Sequence, residues 1–286
     1  MVEESAGMDP IDAAELALAL PELDPERPSP ARIYDFWLGG SQNFAADREA
    51  AGRAAARMPT LPASLHANRV FLGHVVRRLV TECGVTQLLD LGSGVPTVGN
   101  VHEVAQAAAP DTTVVYVDID QVAVAHARTL LKGNPGATAV LADLRRPERV
   151  LAHPLVRDRI DWSRPVAVLI FAMLHFIPDS RHAGRIVNAF VDPLPAGSYL
   201  ALSHGAPDEA APHAQADAAR DYTARTGVPF TPRTAKQIGR WLDGLEIQPP
   251  GLEDVRVWLP GLDDPQTPIS PVIGALARKP PDRRAR

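Results

Sequence analysis

From residue 61 onward the apolar positions switch back and forth between helical spacing and short unbroken runs. Leu65, Leu72, Val75, Val76 and Leu79 recur at helical intervals, which predicts one amphipathic helix over residues 61 to 82, closed by Gly84. Thr86 to Leu91 is a short apolar run and reads as a strand. A helix follows in which Val101, Val104, Ala105 and Ala108 share a face, and Pro110 ends it. TVVYVDID (113 to 120) reads as a second strand, with Asp120 placed to cap the helix that begins at Gln121. ATAVLADL predicts a third strand ending at Asp143, and PVAVLIFAMLHF (165 to 176) lacks alternation, as a strand buried on both faces should. A helix over 180 to 191 leads to a fifth strand in GSYLALSHG. The closing third predicts helices near 208 to 226 and 234 to 242. LEIQPPGLEDVRVWL and PISPVIGALARK then read as two strands meeting as a hairpin at the sheet edge. Alternation of helix and strand implies an α/β fold: a mostly parallel sheet with helices on both faces.

The flanks differ. Residues 1 to 30 are acidic and then proline-rich, so no helical or strand period survives, and the expectation is a loosely ordered arm. Residues 281 to 286 read as a frayed tail. Residues 31 to 60 form a separate segment ahead of the 61 to 280 domain.

Composition narrows the class. With 286 residues, 45% of them hydrophobic, the chain can bury a core of ordinary size. Its single cysteine, Cys83, excludes an intrachain disulfide framework and a cysteine-based zinc site. MVEESAGMDPID carries acids where a secretion signal carries basic residues, and no apolar run approaches a membrane span. The expectation is a soluble cytoplasmic protein. A net charge of -5 argues against a broad nucleic-acid groove, although a local patch would be compatible with it.

Chemistry concentrates in LLDLGSGVPT, residues 88 to 97. An apolar strand ends near Asp90, and Gly92-Ser93-Gly94 makes a turn that lets backbone approach a ligand closely. Asp90, Asp118 and Asp143 all fall at or near strand ends, where open parallel sheets bind ligands. An acid about 24 residues beyond Gly94 can accept two hydrogen bonds from ribose hydroxyls. The ligand is therefore nucleoside-like. A nicotinamide dinucleotide would require Gly-x-Gly-x-x-Gly, whereas Thr97 stands where the third glycine belongs. Asp90 would also repel a pyrophosphate, but it favours a ligand bearing an ammonium and a sulfonium. Each element has a plainer reading as well: an isolated Gly-Ser-Gly is often only a turn, Asp120 a helix cap, Arg145, Arg146 and Arg149 a solvated face, and Cys83 a packing residue.

LLDLGSG, YVDID and VLADL resemble the successive nucleoside-binding motifs of class I S-adenosylmethionine-dependent methyltransferases. ARIYDFWLGGSQNFAADREAA and HANRVFLGHVVRRL resemble a narrower group, a family of actinobacterial S-adenosyl methyltransferases long described as a domain of unknown function. The resemblance implies a Rossmann-like seven-stranded sheet whose last strand, VIGALARKP, is antiparallel. It implies S-adenosylmethionine as cofactor and S-adenosylhomocysteine as product. Asp90, Gly92, Ser93 and Gly94 match the methionyl end of the site, Asp118 with Ile119 the ribose acid, and Asp143 with Leu144 the adenine contacts. Pro96 departs from the third glycine of the wider class.

In IYDFWLGG three aromatics precede two glycines in a chain only 5% aromatic. Packing of the arm against the sheet accounts for them. So does a helical lid over the cofactor, with Tyr34 and Asn43 facing the pocket and Asn68 or Arg69 pairing with the methionine carboxylate. Methyl transfer to an activated carbon is an in-line displacement that needs positioning and no metal. If the acceptor is a hydroxyl or an acidic carbon, His175 beyond the fourth strand is the candidate base, with His204 second, and a structural role is open for each. No Asn/Asp-Pro-Pro-aromatic motif follows that strand, which favours a small-molecule acceptor over nucleic acid. A non-catalytic sensor of S-adenosylmethionine remains an alternative, and a homodimer is left open.

Overall fold

The computed structural model describes residues 23–259, 269 and 271–281. The elements run α1 (Pro30–Trp37), α2 (Ala45–Arg57), α3 (Leu61–Thr81), β1 (Gln87–Leu91), α4 (Val101–Ala108), β2 (Thr113–Asp118), α5 (Gln121–Leu130) and β3 (Ala137–Leu141). After them come α6 (Pro147–Ala152), α7 (Pro154–Arg159), β4 (Ala167–Phe171), α8 (Ser180–Val191), β5 (Tyr199–Gly205), α9 (Pro212–Thr226) and α10 (Ala235–Gly239). The two-residue strands β6 (Glu246–Ile247) and β7 (Glu253–Asp254) precede β8 (Val272–Arg278).

The sheet order is β3-β2-β1-β4-β5-β8-β6, with β7 also pairing β8. β1 to β5 are parallel and β8 runs antiparallel to β5, so the expected Rossmann-like methyltransferase topology is present. Eight strands occur rather than seven because Pro249, Pro250 and Gly251 break one edge strand in two. Ile247 still pairs with Ala277 before the break and Glu253 with Gly274 after it. Proline has no N–H to offer the ladder, so the edge is where such an interruption is tolerated.

Successive residues on each strand feed opposite cores. Leu88, Val114, Tyr116, Leu169 and Leu276 pack against α3, α4 and α5. Leu89, Val115, Val117, Val168 and Leu202 pack against α6, α7 and α8. β1 and β4 are therefore buried along their whole length, as the unbroken apolar run of β4 predicts.

Where boundaries differ from the sequence reading, a side chain or a backbone torsion accounts for it. β2 stops at Asp118 because Asp120 becomes the cap of α5, accepting from the Val122 and Ala123 amides. β3 stops at Leu141, two residues short of Asp143, whose carboxylate turns back to accept the Arg145 amide. β4 stops at Phe171 because Ala172 has φ 52, a left-handed conformation no strand can continue. α9 begins at Pro212 rather than near 208 because Asp208 accepts the amides of Ala210 and Ala211 in a turn. Of the expected arm over residues 1 to 30, all but 23 to 30 lies outside the described residues, as does most of the 281 to 286 tail. Among the described residues no helix is long and apolar enough to cross a membrane.

Candidate active site

β1 and β4 are neighbours although their connections run to opposite sides, and ligands bind at such a switch point beyond the strand ends. A cavity of about 980 Å3 opens there. That is the upper end of the range for small-molecule sites, roughly 300–1,000 Å3, and leaves room for more than one ligand. Strand-end residues, α1, α3 and the segment around α9 all contribute to its walls.

The glycine turn does not work as an anion-binding loop. Gly92 and Ser93 donate their amides to Val117 O (2.7 and 3.2 Å), and Gly94 donates to Asp118 Oδ2 at 2.7 Å. Nor does the turn open a helix: α4 starts at Val101, capped by Asn100 with Glu103 closing a capping box. All three amides are thus engaged within the protein and form no free fan for a phosphate. The glycines of the turn serve another purpose. Gly92 has φ +71, and a Cβ there would lie 2.2 Å from Met173 Cγ, so backbone and Met173 meet at contact distance.

Asp90 and Asp118 are both buried in the cavity wall. Desolvation raises the Asp90 carboxyl to about 7; the Arg69 charge pulls it down and Asp118 pushes it up. Desolvation raises Asp118 to about 6, opposed by the Asp120 and Gly94 amides that donate to it. A cationic ligand would relieve both strains. Ile119 and Leu144 line the same wall. Asp143 lines it too, but Arg145 clamps both its oxygens (2.8 and 2.9 Å from Nε), so an incoming amine must compete with Arg145 for lone pairs. Arg145, half exposed, therefore reaches the rim of the site from its solvated face.

Four predicted residues on the amino-terminal side separate into two groups. Tyr34, Asn68 and Arg69 line the cavity; Asn43 does not. The Asn43 amide instead donates to Asp35 Oδ2 (2.8 Å) and Gly40 O (3.0 Å). Tyr34 donates to Leu65 O, so it must accept from Asn68 Nδ2 at 3.0 Å. That fixes the orientation of the Asn68 amide and leaves Oδ1 buried without a partner. An unpartnered acceptor suits an ammonium, while the second N–H of Nδ2 stays available to a carboxylate. Arg69 is tethered through Nε to Val98 O and through a second nitrogen to Asn100. Its third nitrogen, Nη1, has no partner among the described residues.

The aromatic motif divides its labour. Trp37 packs with Tyr222 against Ile33, Ala50 and Ala51 while Tyr34 faces the cavity. The paired glycines have separate reasons: a Cβ on Gly40 would overlap the Asp35 carboxylate, and Gly39 has φ +79.

Across the cavity, the 3₁₀ turn Leu174–Phe176 presents His175. Its Nδ1 accepts the Gly205 amide at 3.3 Å, so the neutral ring carries its proton on Nε2. Burial, with His204 and Arg233 adding to it, pushes its pKa well below the usual histidine value. This tautomer makes His175 a hydrogen-bond donor toward the cavity and a poor base. His204 is structural: it does not line the cavity, its Nδ1 meets Gly205 O, and its Nε2 accepts from Arg233 at 3.1 Å. Desolvation lowers it to about 4.

Several residues in this wall and behind it are not singled out by the sequence reading. Arg233, 1% exposed, donates to Leu174 O, Ile177 O and Pro178 O and fixes the turn that holds His175. Tyr222 and Phe230 join the cavity from α9 and the loop after it. Arg32 and Asp47 form a buried pair at 2.9 Å beneath the amino-terminal helices. The chain's scarcity of aromatics could have flagged Tyr222 and Phe230; nothing local marks Arg233.

Comparison with known proteins agrees with this geometry. A family model described as S-adenosyl methyltransferase matches residues 17–280. A DUF574 family protein of Streptomyces avermitilis superposes with a TM-score of 0.85 at 38% identity, covering 90% of this chain and 99% of that one. A Thermobifida fusca protein proposed to be a methyltransferase gives 0.84 at 39% identity, covering 91% and 98%. No curated protein matches the sequence.

Proposed function

The chain belongs to the S-adenosyl methyltransferase family, whose cofactor is S-adenosylmethionine, and from that premise we propose that it transfers a methyl group to a small-molecule acceptor. One observation carries the reading: two buried carboxylates with raised pKa values and an orphaned amide oxygen converge on one cavity that continues into an apolar half. The donor set fits the cofactor. Asp118 would accept from the ribose hydroxyls, Asp90 and Asn68 Oδ1 would receive the ammonium, and Arg69 the carboxylate. Asp143 and Leu144, beside Ile119, would meet the adenine. When bound, the cofactor supplies a methyl carbon activated by sulfonium.

The protein's own task is to position the acceptor and exclude water. Tyr34, from α1, joins the wall beside Asn68 and Arg69, and α1 and α2 would serve as the lid over residues 31 to 60. The apolar half beyond the carboxylates favours transfer over a sensing role, since a sensor needs no second compartment. Calorimetric titration with S-adenosylmethionine and with NAD tests the reading. Binding of the former, lost in Asp118→Asn, is expected; tighter binding of NAD would overturn it.

A further inference from the structure

We propose that the acceptor is a flat aromatic compound with an acidic hydroxyl, bound as its oxyanion with that oxygen against Nε2–H of His175. This rests on the methyl-transfer reading of the cavity and narrows it to a substrate class.

Three features of the wall converge. The first is shape and polarity. The His175 ring is in contact with Phe176 and Phe230, at centroid distances of 4.3 and 4.7 Å, and Phe176 lies nearly parallel to Tyr222 (11°, 6.1 Å). Trp37 and Met58 extend the same apolar wall. Aromatic faces favour offset or edge contacts with another ring.

The second is the direction of the hydrogen bond. Because Gly205 N–H occupies Nδ1, His175 offers the cavity a proton and not a lone pair. Among the described residues Nε2 has no protein partner, so a ligand acceptor is what it lacks.

The third is the charge behind it. Arg233 is buried, and its guanidinium is met by three carbonyl oxygens and the neutral His204, with no carboxylate in contact. That field disfavours an imidazolium at His175, and it favours a negative oxygen in front of the ring. A donor backed by a buried cation is the arrangement that stabilises an oxyanion.

Other acceptors fit worse. An amine would turn its own N–H groups toward the His175 donor. An aliphatic alcohol would need a base, and the ring nitrogen facing the cavity already carries its proton. An acidic phenol needs none, since its proton leaves to solvent before the oxyanion binds. An oxygen lone pair then forms the O–CH3 bond as the S–CH3 bond breaks with its electron pair passing to sulfur. The products are an aryl methyl ether and S-adenosylhomocysteine.

The test follows the absorbance of para-nitrophenol against pH, free and bound to protein loaded with S-adenosylhomocysteine. The bound phenol should ionise about one pH unit lower or more, a tenfold or greater preference for the anion. His175→Leu should abolish the shift, and His175→Gln, which keeps a donor near the Nε2 position, should retain part of it. Unchanged affinity for S-adenosylhomocysteine verifies that each variant is folded. An unshifted or raised phenol pKa, an equal shift in His175→Leu, or tighter binding of para-nitroaniline overturns the proposal while leaving methyl transfer standing. Failure of S-adenosylhomocysteine itself to bind would overturn the methyl-transfer reading and this one with it.

Discussion

Arg32 on α1 and Asp120 at the cap of α5 face each other at 3.3 Å, so the amino-terminal helices are tied to the residue two beyond Asp118. Ser29 adds its hydroxyl to the same Asp120 oxygen at 2.5 Å, and the Asp120 amide donates to Asp118 Oδ1 at 2.8 Å. The amino-terminal helices and the Asp118 carboxylate thus share one short chain of hydrogen bonds. Asp120→Asn keeps a good helix cap but removes the charge that holds Arg32 and Ser29. Hydrogen bonds to charged groups are worth about 1.5–3 kcal/mol, so affinity for S-adenosylmethionine should fall roughly tenfold or more while α5 stays folded. Amides of α1 should exchange faster. Calorimetry and hydrogen exchange check both, and wild-type affinity in the variant would sever the link. Deleting residues 1 to 45 is a harsher form of the same test, because it strips the fully buried Asp47 of Arg32.

The raised carboxylates predict a pH dependence of binding. In the free protein Asp118 and Asp90 hold their protons up to about 6 and about 7, and a cationic ligand requires both ionised. Affinity for S-adenosylmethionine should therefore climb as pH rises through these values and level off above them, by up to about tenfold per unit for each group. The sign for folding is opposite. Between the ordinary carboxyl value of 3.8 and about 7 the folded chain binds more protons at Asp90 than the unfolded one, so stability of the free protein falls across that window. Asp90→Asn should remove the upper step of the binding curve, leave the one near 6, and raise the melting temperature of the free protein at about pH 8. A binding curve flat in pH would contradict the burial of these acids.

How much of this was legible in the chain depends on distance along it. The run Ala167 to Phe171 declared both-face burial, Leu88 to Leu91 a strand, and Asp120 its cap, because each signal is local. Boundaries failed where one side chain overrode a run: Asp143 and Asp208 turned back on their own backbone, and Ala172 took a left-handed torsion. In the site, Asp90 and Asp118 were visible as strand-end acids. Asn43 was misplaced because Asp35, eight residues earlier, claims its amide. The His175 tautomer depends on Gly205, thirty residues away, and its lowered pKa in part on Arg233, fifty-eight away; no periodicity carries such pairings.

Gly92 and Gly94 offer a matched comparison, since both are left-handed, at φ +71 and +67. An alanine at either position meets the same backbone strain, about 1–2 kcal/mol. Only at Gly92 does the new methyl also run into a neighbour, Met173, whose Cγ and Sδ would lie 2.2 and 2.6 Å away; around Gly94 there is open space. Gly94→Ala should lower the melting temperature by a few degrees. Gly92→Ala should lower it further and weaken S-adenosylmethionine binding, because Met173 lines the cavity and must move. Shortening the obstacle should undo the excess: Met173→Ala combined with Gly92→Ala should bind better than Gly92→Ala alone, a coupling that a double-mutant cycle reads directly. Equal losses at the two glycines, or additive effects in the cycle, would mean that strain alone sets the requirement for glycine and that Met173 takes no part in shaping the turn.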